Sequence, residues 1–313
     1  MKTKDIYTAE NDISQFINRI DFDRIDKHPN ILIAARLWDD RRYNAAKICY
    51  LFMRMIDDLV DDRKARKEAI SCLEREALTN EVNSWIECLL KSPGNDPFLE
   101  ELNDTISNFK IPLELFYNFA RSMIFDLNHD GFATFDEFLD YSEGASVAPA
   151  SIFVHLCCLQ EVGGTYVNPG IDVISAARPC AIFSYIVHII RDFQADQLSN
   201  LNYISLDILA KHQLEPSDLK EIAMTNEVPA AFRDVIREYL AHAMEYERRT
   251  LLEIEKLSGR LDERYLLSLQ LIHSLYKMVF DRIDPTHGDF TTEALNPNVQ
   301  EIRERVLEVC CPV

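Results

Sequence analysis

Glycine and proline are scarce, at eight and twelve in a chain of 313 residues. Flexible linkers, low-complexity tracts and repeats of fixed period are missing as well, which argues against a solenoid or beads on a string. Cations are in deficit: 33 Lys and Arg stand against 52 Asp and Glu, a net charge of −19. A nucleic-acid binder needs a basic face, so that class is disfavoured, as is electrostatic attachment to anionic lipid. No CxxC spacing occurs among the eight cysteines, so a structural zinc site is not expected. MKTKDIYTAEND lacks the apolar core of a signal peptide. No transmembrane helix is expected, because no apolar run reaches about 18 residues. A cytoplasmic protein with free thiols follows as the expectation.

What remains is 47% apolar and aromatic, enough for a large single core. Helical periodicity dominates, over about 31–62, 66–91, 97–109, 112–127, 135–143, 147–161, 171–199, 229–257, 262–283 and 297–310. Breakers separate these runs: Ser92-Pro93-Gly94-Asn95, Ile111-Pro112, Gly163-Gly164, Asn168-Pro169-Gly170 and Asp284-Pro285. Gly163-Gly164 reads as a turn. Strand-like alternation is hard to find. The expectation is an all-α, single-domain bundle of long helices over residues 1–313 around a central cavity.

Two helices carry carboxylates in apolar surroundings. In YLFMRMIDDLVDD, Tyr50 to Asp62, the positions of Tyr50, Arg54, Asp57 and Asp61 fall within roughly 60° on a helix. Asp57 and Asp61 are an i, i+4 pair, a like-charge spacing that destabilises an isolated helix by about a few tenths of a kcal/mol. In YIVHIIRDFQAD, Tyr185 to Asp196, Tyr185, His188, Asp192 and Asp196 share a face, with Arg191 beside them. A buried carboxylate must be paired or bind metal. One DxxxD alone is usually a solvated helix face; two, each in a strongly apolar helix with an adjacent arginine, point to metal chemistry. If the helices face each other, Mg²⁺ bridged by a diphosphate suits the cavity between them. Arg54 and Arg191 would then share the released negative charge.

The chain resembles the squalene/phytoene synthases, a class I family with the isoprenoid synthase type I fold. The resemblance spans about residues 28–283, leaving 284–313 as a C-terminal extension. It rests on Tyr50-x-x-x-Arg54-x-x-Asp57-x-x-x-Asp61, ARSMIFDL…FATFDEFLDYSEG, Arg191-Asp192-x-x-x-Asp196, Tyr203, and Tyr276 in HSLYKMVFDRI. The segment NILIAARLW is similar to the corresponding helix of the bacterial hydroxysqualene-type members. The resemblance implies a prenyltransferase joining two prenyl diphosphates, such as farnesyl diphosphate, head to head (1′–1) through a cyclopropylcarbinyl diphosphate. Carried over by position, Asp57, Asp61, Asp192 and Asp196 are the catalytic metal ligands. Tyr50, Arg54, Arg191 and Tyr276 would contact diphosphate; Asn30, Tyr141, Tyr185, His188 and Tyr203 would surround the site. Mg²⁺ is the implied cofactor, with Mn²⁺ as a substitute. NADPH use, oligomeric state and peripheral membrane contact for product release stay open.

Four positions depart from the family's pattern. His188 stands where an Asn metal ligand is usual, and imidazole suits Mg²⁺ less well. Tyr185 replaces a Gln, Leu201 replaces an Arg, and a serine-bearing phosphate segment reads Lys27-His28-Pro29-Asn30. Redirected chemistry is one consequence: arrest at the cyclopropyl stage, quenching by water, or a terpene synthase acting on one prenyl diphosphate. A non-catalytic isoprenoid- or calcium-binding relative is another. Calcium enters because DLNHDGFATFDEF, Asp126 to Phe138, has the ligand spacing of an EF-hand loop. The family pattern accounts for the same residues as a helix end, a loop and a helix start, and that is the preferred reading. His155 and His273, on apolar segments, read as core histidines.

Overall fold

The computed structural model describes residues 19, 20, 22, 30–66, 69–91 and 96–311. Lys27-His28-Pro29, Ser92 to Asn95 and the side chain of Asn30 lie outside the described residues. In chain order the helices are α1 (Asn30–Ala35), α2 (Asp40–Lys64), α3 (Cys72–Lys91), α4 (Pro97–Asn108), α5 (Leu113–Asn128), α6 (Phe135–Ser142) and α7 (Ala148–Cys158). After a hairpin of β1 (Gln160–Val162) and β2 (Thr165–Val167) come α8 (Val173–Arg191), α9 (Phe193–Leu198), α10 (Leu206–Lys211) and α11 (Pro216–Thr225). The chain closes with α12 (Ala230–Ser258), α13 (Glu263–Phe280), α14 (Thr292–Leu295) and α15 (Val299–Cys310). The expected all-α class holds. Gly163 and Gly164 form the two-residue hairpin turn with φ of 59° and 81°, a backbone that glycine adopts without cost.

Helix α8 is the axis of the bundle, packed against α7, α12 and α13. Asp172 starts it, its carboxylate accepting from the N–H groups of Ile174 and Ser175 at 3.1 Å. Being enclosed, α8 is apolar nearly all round. By length and composition alone it would cross a membrane, a property the sequence reading did not credit to any segment. Its burial inside the bundle accounts for that composition. Across the cavity, α2 lies on α5 and α7. Asp39 caps α2 through the Arg42 N–H at 3.1 Å. Trp38 then pins α1 to α13, its indole N–H donating to Ser268 Oγ at 3.0 Å while that hydroxyl donates to Ala34 O at 2.9 Å.

Between α6 and α7, Glu143–Val147 winds as one π-turn, a geometry that often marks functional sites. Gly144 sits where that turn crosses α5: a Cβ there would lie 2.1 Å from Asn118 O. The turn carries Ala145 and Ser146 to the cavity wall. Ser122 Oγ donates to Tyr141 O at 2.8 Å, joining α5 to the end of α6, and Ser146 Oγ donates to Ala181 O at 2.9 Å, joining the turn to α8.

Candidate active site

The helices enclose a cavity of about 320 Å³. Tyr50, Arg54, Asp57 and Asp61 all line it, so the face read from the α2 periodicity is the face that α2 presents. From the other side come Tyr185, His188 and Asp196, with Tyr141, Tyr203 and Tyr276 between. Apolar side chains close the remainder, among them Met53, Phe119, Met123, Ile152, Phe153 and Ile189. Arg191 and Asp192 are not part of the lining. Arg191 is 5% exposed.

The second stripe is not one continuous helix. Asp192 ends α8 with φ −92° and ψ 3°, and α9 begins at the next residue. Backbone bonds nevertheless continue across the break, from Asp192 N–H to His188 O and from Asp196 N–H to Asp192 O, both 2.9 Å. Those bonds keep the spacing that the sequence implied. Leu201, in the place of an expected Arg, is buried, and its N–H donates to Asp196 O at 2.8 Å.

Charge is distributed unevenly. Arg54 donates to Asp57 Oδ2 at 2.8 Å and also binds Asp58. Desolvation raises the Asp57 carboxyl above its usual range despite Arg54. Asp61 is raised by desolvation and by the charges of Asp57 and Asp126. Asp196 goes the same way, through desolvation and the charges of Asp192 and Asp61. Asp192 behaves oppositely. Burial opposes its charge, yet His188 and Arg191 hold it below the usual carboxylate range. Arg191 grips it with two bonds, Nε to Oδ1 at 2.8 Å and Nη2 to Oδ2 at 2.7 Å, and His188 Nε2 lies 2.6 Å from Oδ2. The phenols of Tyr141, Tyr185 and Tyr203 are pushed well above their usual range by burial and by Asp126 among other nearby charges. They remain protonated donors at neutral pH.

Two charged residues of this region were not among the site residues read from the sequence. Asp126 is buried, paired through Oδ1 with Lys64, while its Oδ2 is buried without a partner. Lys64 had a legible signal, since it follows Asp57 and Asp61 at i+7 and i+3 on the same helix face. Asp126 arrives from α5, and only tertiary packing brings it there.

The donor set suits a divalent cation. Three carboxyls, Asp57, Asp61 and Asp196, are driven toward protonation by burial and by neighbouring carboxylates, a strain that a cation would relieve. Among the described residues, no three metal-binding side chains already converge on a single ion position.

The EF-hand pattern dissolves in the fold. Asp126 is committed to Lys64. Asn128 Nδ2 donates to Ile124 O at 2.7 Å. Phe132 O, the backbone ligand position, accepts from Leu206 N–H at 2.9 Å, and Glu137 caps its own helix through the Ala133 N–H. His155 is a buried core histidine as read, whereas His273 is only partly buried and its Nε2 has no hydrogen-bond partner. His155 Nε2 bonds Phe109 O at 2.8 Å, and burial lowers both His155 and His273.

Comparison with known proteins gives the same direction. The family model for squalene/phytoene synthase matches residues 26–303. Phytoene synthase of Narcissus pseudonarcissus is 22% identical over 267 residues, covering 85% of this chain and 59% of that protein. Phytoene synthase 1 of Zea mays is 25% identical over 268 residues, covering 84% and 60%. The chain thus spans about 60% of the length of these curated relatives. A dehydrosqualene synthase structure superposes with a TM-score of 0.68 at 15% identity, covering 97% of this chain and 95% of that one. The squalene synthase HpnC of Alicyclobacillus acidocaldarius gives 0.63 at 14%, covering 88% and 94%. These two likenesses establish the isoprenoid-synthase fold, and with the matched family model the chain belongs to the squalene/phytoene synthase family.

Proposed function

We propose that the protein is a Mg²⁺-dependent prenyltransferase that joins two prenyl diphosphates head to head, with farnesyl diphosphate the first substrate to test. The observation that carries this reading is one apolar cavity flanked by Asp57 and Asp61 on one wall and Asp196 on the other. Family membership and the names of the matched relatives support it.

In this reading Asp57, Asp61 and Asp196 would hold the cations. Bound Mg²⁺, or Mn²⁺ in its place, supplies the Lewis acidity that makes diphosphate a leaving group. Arg54 and Arg191 stand near the acidic stripes, and Tyr50 and Tyr276 add hydroxyl donors. Released diphosphate charge is shared among them. The apolar walls formed by Met53, Phe119, Met123 and Phe153 exclude water from an allylic cation. The protonated phenols of Tyr141, Tyr185 and Tyr203 orient the reacting end as neutral donors.

A second reading, one prenyl diphosphate per turnover, draws on size. A volume of about 320 Å³ lies at the low end of small-molecule sites. One assay separates the two. Purified protein is incubated with farnesyl or geranylgeranyl diphosphate and Mg²⁺, with and without NADPH, and the products are analysed by mass spectrometry. A C30 or C40 product is expected. A C15 or C20 alcohol or hydrocarbon would favour the second reading, and unchanged substrate would overturn both.

A further inference from the structure

The two DxxxD stripes look equivalent in sequence, but their carboxylates are not equally free. Asp192 receives three donors: two from Arg191, at 2.8 and 2.7 Å, and His188 Nε2 at 2.6 Å. Both its oxygens are engaged, and one of them twice. Arg191 is almost fully buried, so its cation needs a counter-charge in place. The imidazole is steadied in turn by Tyr185, whose ring meets it edge-on at 6.2 Å. Asp192 also lies outside the cavity lining, whereas Asp57, Asp61 and Asp196 are within it.

We infer that in this chain Asp192 is a positioning residue that anchors Arg191 and His188, and that Asp57, Asp61 and Asp196 are the carboxylates that bind divalent cations. This inference rests on the prenyltransferase reading and assigns its cation ligands. The physical reason is competition. A cation approaching Asp192 must displace a bidentate guanidinium or the imidazole, and displacing the guanidinium leaves a buried charge unpaired. Among the described residues no side chain bonds the Asp61 or the Asp196 carboxylate, and both line the cavity. With Nε and one Nη2 hydrogen committed to Asp192, the guanidinium plane of Arg191 is fixed by that pair while its other donors stay uncommitted to Asp192. His188 is the sequence feature that sets this apart, since the usual amide there would offer a neutral oxygen ligand.

The test measures binding without turnover. Mn²⁺ affinity of the full chain is read by electron paramagnetic resonance in the presence of inorganic pyrophosphate. Pyrophosphate affinity is read separately by calorimetry. Losing a direct ligand costs at least about tenfold, so Asp61→Asn and Asp196→Asn should weaken Mn²⁺ by that much or more. Asp192→Asn should leave Mn²⁺ within about threefold of wild type, below the ~10-fold of a disturbed metal shell, while weakening pyrophosphate because Arg191 loses its anchor. Circular dichroism checks the fold of each variant. His188→Ala keeps the proposal testable if Asp192→Asn does not fold: Mn²⁺ affinity should be unchanged or tighter. A tenfold loss of Mn²⁺ in folded Asp192→Asn or in His188→Ala would overturn the assignment. Wild-type protein that binds neither Mn²⁺ nor pyrophosphate would overturn the prenyltransferase reading, and the assignment with it.

Discussion

The wall built from α2 and the wall built from α8 and α9 carry the same DxxxD spacing with opposite electrostatics. On α2, one guanidinium is divided between Asp57 and Asp58, and Asp61 is left facing other carboxylates. On the opposite wall a buried guanidinium and an imidazole converge on Asp192, and Asp196 is left crowded. Spacing therefore fixes where a carboxylate points, while its charged neighbours fix what it can bind. A motif read as four equal aspartates separates, in three dimensions, into three strained ones and one satisfied one.

The sharpest break of this comparison is catalytic. Asp57→Asn should lower turnover by roughly 10²–10³-fold, as removal of a key electrostatic group does, with the fold retained by circular dichroism. Prenyl-product yield under saturating Mg²⁺ measures it; wild-type activity would remove Asp57 from the site.

Stability should separate the walls next. Asp192→Asn strands Arg191 and should cost about 3 kcal/mol in urea unfolding. Gly144→Ala tests the turn between the walls. Its Cβ would overlap Asn118 O, so a loss of about 1–3 kcal/mol is expected, with substrate affinity falling as Ala145 and Ser146 shift.

Asp61→Asn should do the reverse of Asp192→Asn. A carboxyl whose folded pKa is raised makes the folded state bind more protons than the unfolded chain, so stability falls as pH rises through that window. The metal-free variant should therefore be more stable than wild type at pH 8, by about 1 kcal/mol or roughly 2–4 °C. The advantage should shrink as pH falls toward the ordinary carboxylate range. An advantage independent of pH would mean that Asp61 is not strained. Asp192, held low, has the opposite sign: its contribution is present at neutral pH and is lost only in strong acid. The smallest effect concerns calcium: millimolar Ca²⁺ without diphosphate should shift the melting temperatures of wild type and of Glu137→Gln by the same amount, since Glu137 caps its own helix.

Much of this was legible. The all-α class followed from helical periodicity and scarce glycine, and the α2 face followed from 100° arithmetic applied to Tyr50, Arg54, Asp57 and Asp61. The ten-residue α11 was missed, as were α10 and α14, whose six and four residues give too little periodicity to register. The break at Asp192 was invisible for a related reason: its backbone bonds keep helical spacing on both sides. Asp126 was noticed as a helix end and a calcium-loop position but not as a site residue, since its partner Lys64 is 62 residues away in sequence. No spacing rule reports how three donors divide themselves around Asp192.

The loop after α5 carries a consequence of another kind. Phe132 O and Ala133 O accept from the N–H groups of Leu206 and Asp207, the Asp207 carboxylate accepts from the Phe135 N–H, and Gly131 lies against Asn202. The strip bearing Tyr203 is thus sewn to the strip leading into Tyr141. In hydrogen exchange, the amides of Phe135, Leu206 and Asp207 should open together as one cooperative unit. The aromatic end of the cavity would then behave as a single moving part, shared by two stretches of chain some seventy residues apart.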